Sequence, residues 1–219
     1  PLLIFMGLPP TVANGTNRVA IVLQTAIAVA GFKSKGVSTF PFNIYLGVAA
    51  TLGSIIGAFI AVDIRGETFN RILAIIMVVV VLIIVFKPKV KIDQLEERIT
   101  GKYRWIGMLA FFFIGIYGGF INAGIGFVII LFLHYVHRLS LVRTNATKVA
   151  VVFMYTLAAL AVFVLNDKVI WKVGLVLALG NGLGAWFSSR ISVNKGDGYI
   201  KIFLVGMVIV MAVKLWFFT

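Results

Sequence analysis

The chain of 219 residues contains no cysteine, which excludes disulfide bonds and thiolate metal sites. Acidic residues are scarce as well, because seven Asp and Glu stand against 20 Lys and Arg. Charged residues make up 12% of the chain, about half the share of an ordinary soluble domain. The remainder is 61% hydrophobic, and the mean hydropathy is +1.08. This composition identifies a polytopic membrane protein.

The few acidic residues all fall in loops or at the ends of apolar segments. Carriers of metal ions or protons usually keep a carboxylate inside the membrane, so the pattern disfavours a cation carrier. The excess cations lie in short loops, where they set the orientation of the protein in the bilayer, and nucleic acid is therefore not a predicted partner. The acidic residues are Asp63, Glu67, Asp93, Glu96, Glu97, Asp167 and Asp197.

Apolar runs predict the transmembrane helices, and several reach the roughly 20 residues needed to cross a bilayer. We therefore predict an all-α fold. Because the chain starts at Pro1, inside an apolar stretch and without an initiating Met, we expect its true beginning to lie upstream. The runs cover approximately residues 18–39, 40–62, 69–86, 143–165, 169–189 and 199–218.

Two octapeptides, GTNRVAIV at residues 15–22 and NATKVAVV at residues 145–152, are nearly alike. At their offset of 130, Arg18 falls on Lys148, and each octapeptide opens an apolar run. A repeated cation at a repeated helix start predicts a symmetric site for a negatively charged ligand.

Small residues extend this repeat. With the offset relaxed to 127, Gly53 and Gly57 fall on Gly180 and Gly184. The Gly-x-x-x-Gly spacing places small residues on one helix face, where two backbones can approach closely in lipid. We therefore predict tight helix packing at both pairs.

The segment from Trp105 to His137 is too long for one span and too short for two. Residues 115–127 within it contain five glycines and Asn122, which predicts a broken or re-entrant helix. Irregular backbone is tolerated in the hydrocarbon region only where it is buried in protein or lines a cavity. This interruption is therefore a candidate part of a site.

The repeat divides the chain into a first transmembrane repeat at 1–86, whose broken helix is incomplete, a linker at 87–104 and a second repeat at 105–219. Each repeat is predicted to contain three full transmembrane helices and a broken or re-entrant element. An inverted arrangement of the two repeats places thirteen cations on one face and four on the other, whereas a parallel arrangement gives ten and seven. The positive-inside rule therefore favours inverted repeats with a cytoplasmic linker and both ends outside.

The glycine-rich broken segment is followed by an apolar run ending at Leu139-Ser140, then by an Asn/Ala/Thr stretch that opens the next helix. With its duplication about 130 residues apart, this order resembles the sulfite exporter TauE/SafE family. The resemblance implies a secondary transporter of small sulfur-containing anions or organic acids, usually moved outward, in the cell membrane. One departure is the bulky cation Arg18 after the small residues 14–17.

The predicted site combines the two helix starts with the broken elements. Helix N-termini offer free amide donors and a positive dipole end, which suit a sulfonate or a carboxylate. The alternative is that the cations extend to the interface and that the Asn and Thr residues are helix caps. The predicted substrate-binding residues are Asn14, Thr16, Asn17, Arg18, Asn122, Gly124, Gly126, Thr144, Asn145, Thr147 and Lys148.

These observations predict a secondary exporter of sulfite or organosulfonate that works by alternating access, with an anion channel or a carboxylate permease as the alternative. An enzyme is disfavoured because no nucleophile with a base and no carboxylate cluster is evident, and neither a cofactor nor a metal is predicted. His134 is a candidate proton relay. The coupling ion, proton or sodium, and the oligomeric state stay open.

Overall fold

The computed structural model describes residues 2–85 and 96–195, and these two ranges contain helices but no strand. The predicted span at 199–218 and linker residues 87–95 lie outside the described residues. The helices are α1 Leu2–Phe5, α2 Pro10–Ser34, α3 Phe42–Asp63, α4 Gly66–Val85, α5 Gly101–Phe120, α6 Ile125–Tyr135, α7 Leu141–Leu165 and α8 Trp171–Lys195.

Four helices in the described part of the chain are long and apolar enough to cross a membrane, namely α2, α3, α5 and α7. The helix α6 and the stretch Trp171–Leu183 of α8 are apolar but shorter. The predicted all-α, multi-span class is therefore confirmed.

Two helices begin earlier than the apolar runs indicate. Proline is favoured in the first turn because that turn needs no amide donor, and α2 accordingly begins at Pro10. At α7 the Ser140 hydroxyl accepts a hydrogen bond of 3.4 Å from the amide of Arg143. Arg18 and Lys148 thus lie about two turns inside their helices. The prediction that they lie at helix starts is wrong, and the amides around them bond within the helix.

The predicted interruption of the second apolar stretch is present. Helix α5 ends at Phe120 and α6 begins at Ile125, and Asn122 lies in the irregular segment between them. Gly124 precedes α6 with a φ of 71°, a left-handed conformation that glycine adopts without steric cost. We call residues 121–124 the break.

Helices α3 and α5 pack with their backbones in close contact. A methyl group added to any of four glycines would meet a backbone carbonyl oxygen of the facing helix. The predicted close packing of Gly53 and Gly57 is therefore present, whereas Gly180 has no described atom within 4 Å of an added Cβ. The facing pairs are Gly53 with Phe112, Gly57 with Ile116, Gly115 with Ala50, and Gly119 with Ser54.

The remaining packing places α2 against α7 and α8, and α3 against α7. Near the start of α2, Gly15 contacts Phe163 and the carbonyl of Lys168 at the end of α7. The start of α2 therefore lies beside the end of α7, and these two helices run in opposite directions. This packing brings the N-terminal half of α2 to the break.

Candidate functional site

A cavity of about 260 Å³ lies at the break. Its polar lining consists of three carboxamide side chains, Asn14 and Asn17 from α2 and Asn122 from the break. The described residues that line it include no charged side chain. The remaining lining is apolar, from Leu2, Leu3, Ile4, Pro10, Ala13, Phe69, Leu73, Ile121, Ala123 and Leu177.

Helix α2 caps the end of α5 with two side chains one turn apart. The Asn14 Nδ2 donates to the Phe120 carbonyl at 2.8 Å. The Arg18 Nη2 donates to the Gly118 carbonyl at 3.1 Å and to the Gly119 carbonyl at 2.5 Å. The last carbonyls of a helix have no partner within it, and they carry the negative end of its dipole. A cation at this point therefore stabilises the end of α5.

The Arg18 side chain is completely buried. Its guanidinium carbon lies 4.8 Å from the ring centroid of Phe163 on α7. Within the described part of the chain, its Nε and Nη1 atoms have no hydrogen-bond partner. Buried donors without an acceptor are costly, so these two nitrogens can accommodate a further acceptor group.

Two tyrosines that the sequence did not lead us to predict donate hydrogen bonds to the break. The Tyr155 hydroxyl on α7 donates to the Asn122 Oδ1 at 2.6 Å, and the Tyr117 hydroxyl donates to the Ala123 carbonyl at 2.5 Å. Because the Asn122 Oδ1 is engaged, its Nδ2 remains as a donor at the cavity. The signal in the sequence was a tyrosine inside an apolar helix, since a buried hydroxyl needs a partner.

The predicted residues of the second half bond mainly within and just before α7 and are not part of the cavity lining. The Lys148 Nζ donates to the Asn145 Oδ1 at 2.7 Å, and its side chain lies 3.8 Å from an added Cβ at Gly126. Three other bonds run from Asn145 to the Leu141 carbonyl at 2.9 Å, from Thr144 to the Leu139 carbonyl at 3.3 Å, and from Thr147 to the Arg143 carbonyl at 2.8 Å. The Thr147 hydroxyl also lies 2.7 Å from the hydroxyl of Thr39, which precedes α3 in the first half of the chain.

Two further predicted residues lie away from the cavity lining. The Thr16 hydroxyl is buried and accepts from the Ile170 amide at 3.0 Å, just before α8. His134 is buried, with its Nδ1 2.9 Å from the Leu139 carbonyl oxygen. The structure therefore brings together Asn14, Asn17 and Asn122 at the cavity, with Arg18 outside its lining. The other predicted residues with side-chain hydrogen bonds make them away from the cavity, and those of Thr16 and Thr147 reach distant parts of the chain.

The profile of the sulfite exporter TauE/SafE family matches residues 1–215. The chain belongs to this family. The match covers almost the whole sequence, including both repeated octapeptides, and it confirms the resemblance seen in the sequence. Members of the TauE/SafE family are membrane proteins, and this chain is a multi-pass protein of the cell membrane.

Several relatives of this TauE/SafE chain carry transporter names. It is 28% identical over 215 residues to a probable membrane transporter protein of Haemophilus influenzae, covering 98% of this chain and 84% of the relative. It is 26% identical to the probable membrane transporter proteins ORF9 of Sinorhizobium and YfcA of Escherichia coli, covering 98% of this chain and 82% and 79% of those proteins. No solved structure matches significantly. The TauE/SafE chain is therefore a membrane transporter.

Proposed function

We propose that this protein is a secondary transporter that exports small anions, with sulfite and organosulfonates as the first substrates to test. The observation that carries this proposal is the cavity at the break, where three carboxamides converge in an otherwise apolar lining. An uncharged polar site next to a buried cation suits a small oxyanion better than a metal ion. The TauE/SafE membership supports the sulfur-containing class.

The proposed binding of an anion depends on hydrogen-bond donors at the cavity. Tyr155 bonds the Oδ1 of Asn122, which leaves the Nδ2 of Asn122 as a donor. The side-chain amide of Asn17 is a second donor in the same cavity. At the start of α6 the Phe127 amide donates to the Gly124 carbonyl at 3.0 Å. Gly124 provides no side-chain cap, so the amides of Ile125 and Gly126 lack an intrahelical acceptor. We propose that these donors bind the anion directly and that Arg18, outside the cavity lining, supplies positive charge.

The transport cycle follows from how the break is held. Helix α2 holds the end of α5 through Asn14 and Arg18, and α7 holds Asn122 through Tyr155. A movement of α2 against α7 would therefore change the cavity. We propose alternating access by two inverted repeats, which the opposite directions of α2 and α7 support. The second-half residues Thr144, Asn145, Thr147 and Lys148 would contribute in the other state.

The decisive test is counterflow in proteoliposomes with sulfite, thiosulfate, sulfoacetate and acetate. We expect saturable uptake of the sulfur-containing anions that is accelerated by the same anion inside. Asn122→Asp should lower that uptake about 100-fold, because a carboxylate replaces a donor and repels the anion. Asn166→Asp is the matched control, because it removes an amide that donates to the Val162 carbonyl at the end of α7, away from the cavity lining, and it should transport normally. Large unitary currents, or preference for acetate, would contradict the proposal.

A second prediction concerns Tyr155 as the residue that orients Asn122. Tyr155→Phe keeps the buried ring, which packs in the core with Phe111 and Ile129, and removes only the hydroxyl. Without that hydrogen bond the Asn122 amide can rotate, and we expect the KM for the anion to rise about fivefold with a smaller change in the maximal rate. Tyr103→Phe, at the far end of α5, serves as the control. An unchanged KM in Tyr155→Phe would contradict the orienting role.

A further inference from the structure

The first turns of α3 and α5 lie side by side and share a surface of cations and aromatic rings. The guanidinium carbon of Arg104 lies 5.0 Å from the ring centroid of Tyr45 and 5.8 Å from that of Trp105. Trp105 is 64% exposed and Tyr45 is 38% exposed. Because α3 and α5 are both long enough to span a membrane, residues one turn from their starts lie near the level of the lipid headgroups.

Two more cations extend this surface. Arg98 and Lys102 lie over the ring of Tyr103, at 4.7 Å and 5.5 Å from its centroid. Of the two described acidic residues nearby, Glu97 is paired with Arg143 at 3.2 Å, and Glu96 is exposed. None of Arg98, Lys102 and Arg104 forms an ion pair within the described ranges. The surface therefore carries a local excess of positive charge.

Lys102 and Arg104 do not stabilise α5, the helix on which they lie. The first turn of α5 contains no acidic residue, and Thr100 provides no side-chain cap. Lys102 and Arg104 lie near the positive end of the α5 dipole, where cations are unfavourable. Helix stability therefore does not account for these two charges, which set the orientation of the protein and are also available to an external anion.

We propose that the surface formed by Tyr45, Arg98, Lys102, Tyr103, Arg104 and Trp105 binds the headgroup of an anionic phospholipid. Trp and Tyr rings are stable at the membrane interface, and rings beneath the cations hold them at the level of the lipid phosphates. Stacking covers the flat face of a guanidinium and leaves its N–H edge for phosphate oxygens. Each cation near an anionic leaflet contributes to this attraction. The binding does not depend on what the protein transports.

The experiment is native mass spectrometry of the full chain in detergent, titrated with phosphatidylglycerol and, separately, with phosphatidylcholine. We expect selective retention of phosphatidylglycerol, and we expect the double variant Lys102→Gln/Arg104→Gln to bind it about 30-fold more weakly. The matched control is Lys168→Gln/Lys172→Gln, which removes the same charge before and in the first turn of α8 and should keep wild-type affinity.

Two further variants separate charge from folding. Lys102→Gln alone removes an exposed side chain, and a fivefold weakening is expected without any change in thermal unfolding. Arg104→Lys keeps the charge and should retain most of the selectivity. Equal phosphatidylglycerol affinity in the double variant, an equal loss in the control, or displacement of the lipid by millimolar glycerol phosphate would each overturn the proposal.

Discussion

Replacing Arg18 with glutamine is expected to lower anion flux at least tenfold and to lower the temperature of unfolding. The wild-type guanidinium is completely buried and donates to the carbonyls of Gly118 and Gly119. A glutamine amide is shorter and carries no charge, so these carbonyls at the end of α5 lose charge-assisted partners. An unpaired buried polar group costs about 1 to 3 kcal/mol, and no bulk water replaces the donor at this depth.

A second effect of the Arg18→Gln substitution opposes this loss of stability and is smaller. Removing Arg18 also relieves the desolvation of a buried charge, which would stabilise the variant. In the native protein, however, the negative end of the α5 dipole and the ring of Phe163 already compensate much of that cost. The loss of the cap should therefore dominate, and the break should lose the geometry that places Asn122 in the cavity.

The measurement combines proteoliposome uptake at equal protein density with thermal unfolding in detergent. Arg18→Lys keeps the charge and the donors but loses the planar group that lies over the ring of Phe163, so an intermediate flux is expected. Lys148→Gln is the informative comparison, because Lys148 bonds only to Asn145 on its own helix among the described contacts, and a smaller effect is expected. Wild-type flux and wild-type unfolding in Arg18→Gln would exclude Arg18 from both roles.

Replacing Gly57 with alanine is expected to destabilise the protein by about 2 to 3 kcal/mol. The added Cβ would meet the backbone carbonyl oxygen of Ile116. Backbone atoms cannot move away by changing a rotamer, so α3 and α5 would have to separate along their whole contact. The same shift would move the end of α5 away from Asn14 and Arg18, and transport should fall as well.

Gly31→Ala provides the matched control on α2. No described atom lies within 4 Å of an added Cβ at Gly31, and alanine is the better helix former by as much as about 1 kcal/mol. The control should therefore unfold at the wild-type temperature or slightly above it, with unchanged flux. Equal unfolding temperatures for Gly57→Ala and the wild type would show that the two helices can separate at little cost.

The break illustrates what local composition can predict. Glycines and one asparagine within an apolar segment of the wrong length predict an interruption at residues 115–127, and the interruption lies at 121–124. The helix starts were less predictable. Hydropathy marks the apolar part of a helix, whereas Pro10 and the Ser140 cap mark its first residue, and the polar first turns of α2 and α7 are still helical.

The candidate site shows what the sequence repeat could not predict. Two equivalent positions of a repeat contact equivalent residues only if the helices around them are also equivalent. Arg18 meets the end of α5, while Lys148 meets Asn145 and the start of α6 at Gly126. The two octapeptides are alike in sequence, but their cations contact different ends of the broken segment.

The sequence by itself determined the membrane location, the all-helical class, the family, the position of the break and the close packing of Gly53 and Gly57. These properties depend on composition, order and short spacing. Only the tertiary structure decided that Asn14, Arg18 and Tyr155 hold the break, because their partners lie 106, 101 and 33 residues away. Hydrogen bonds from these side chains to the end of α5 and to the break leave no periodic pattern in the sequence, so the cavity follows from packing.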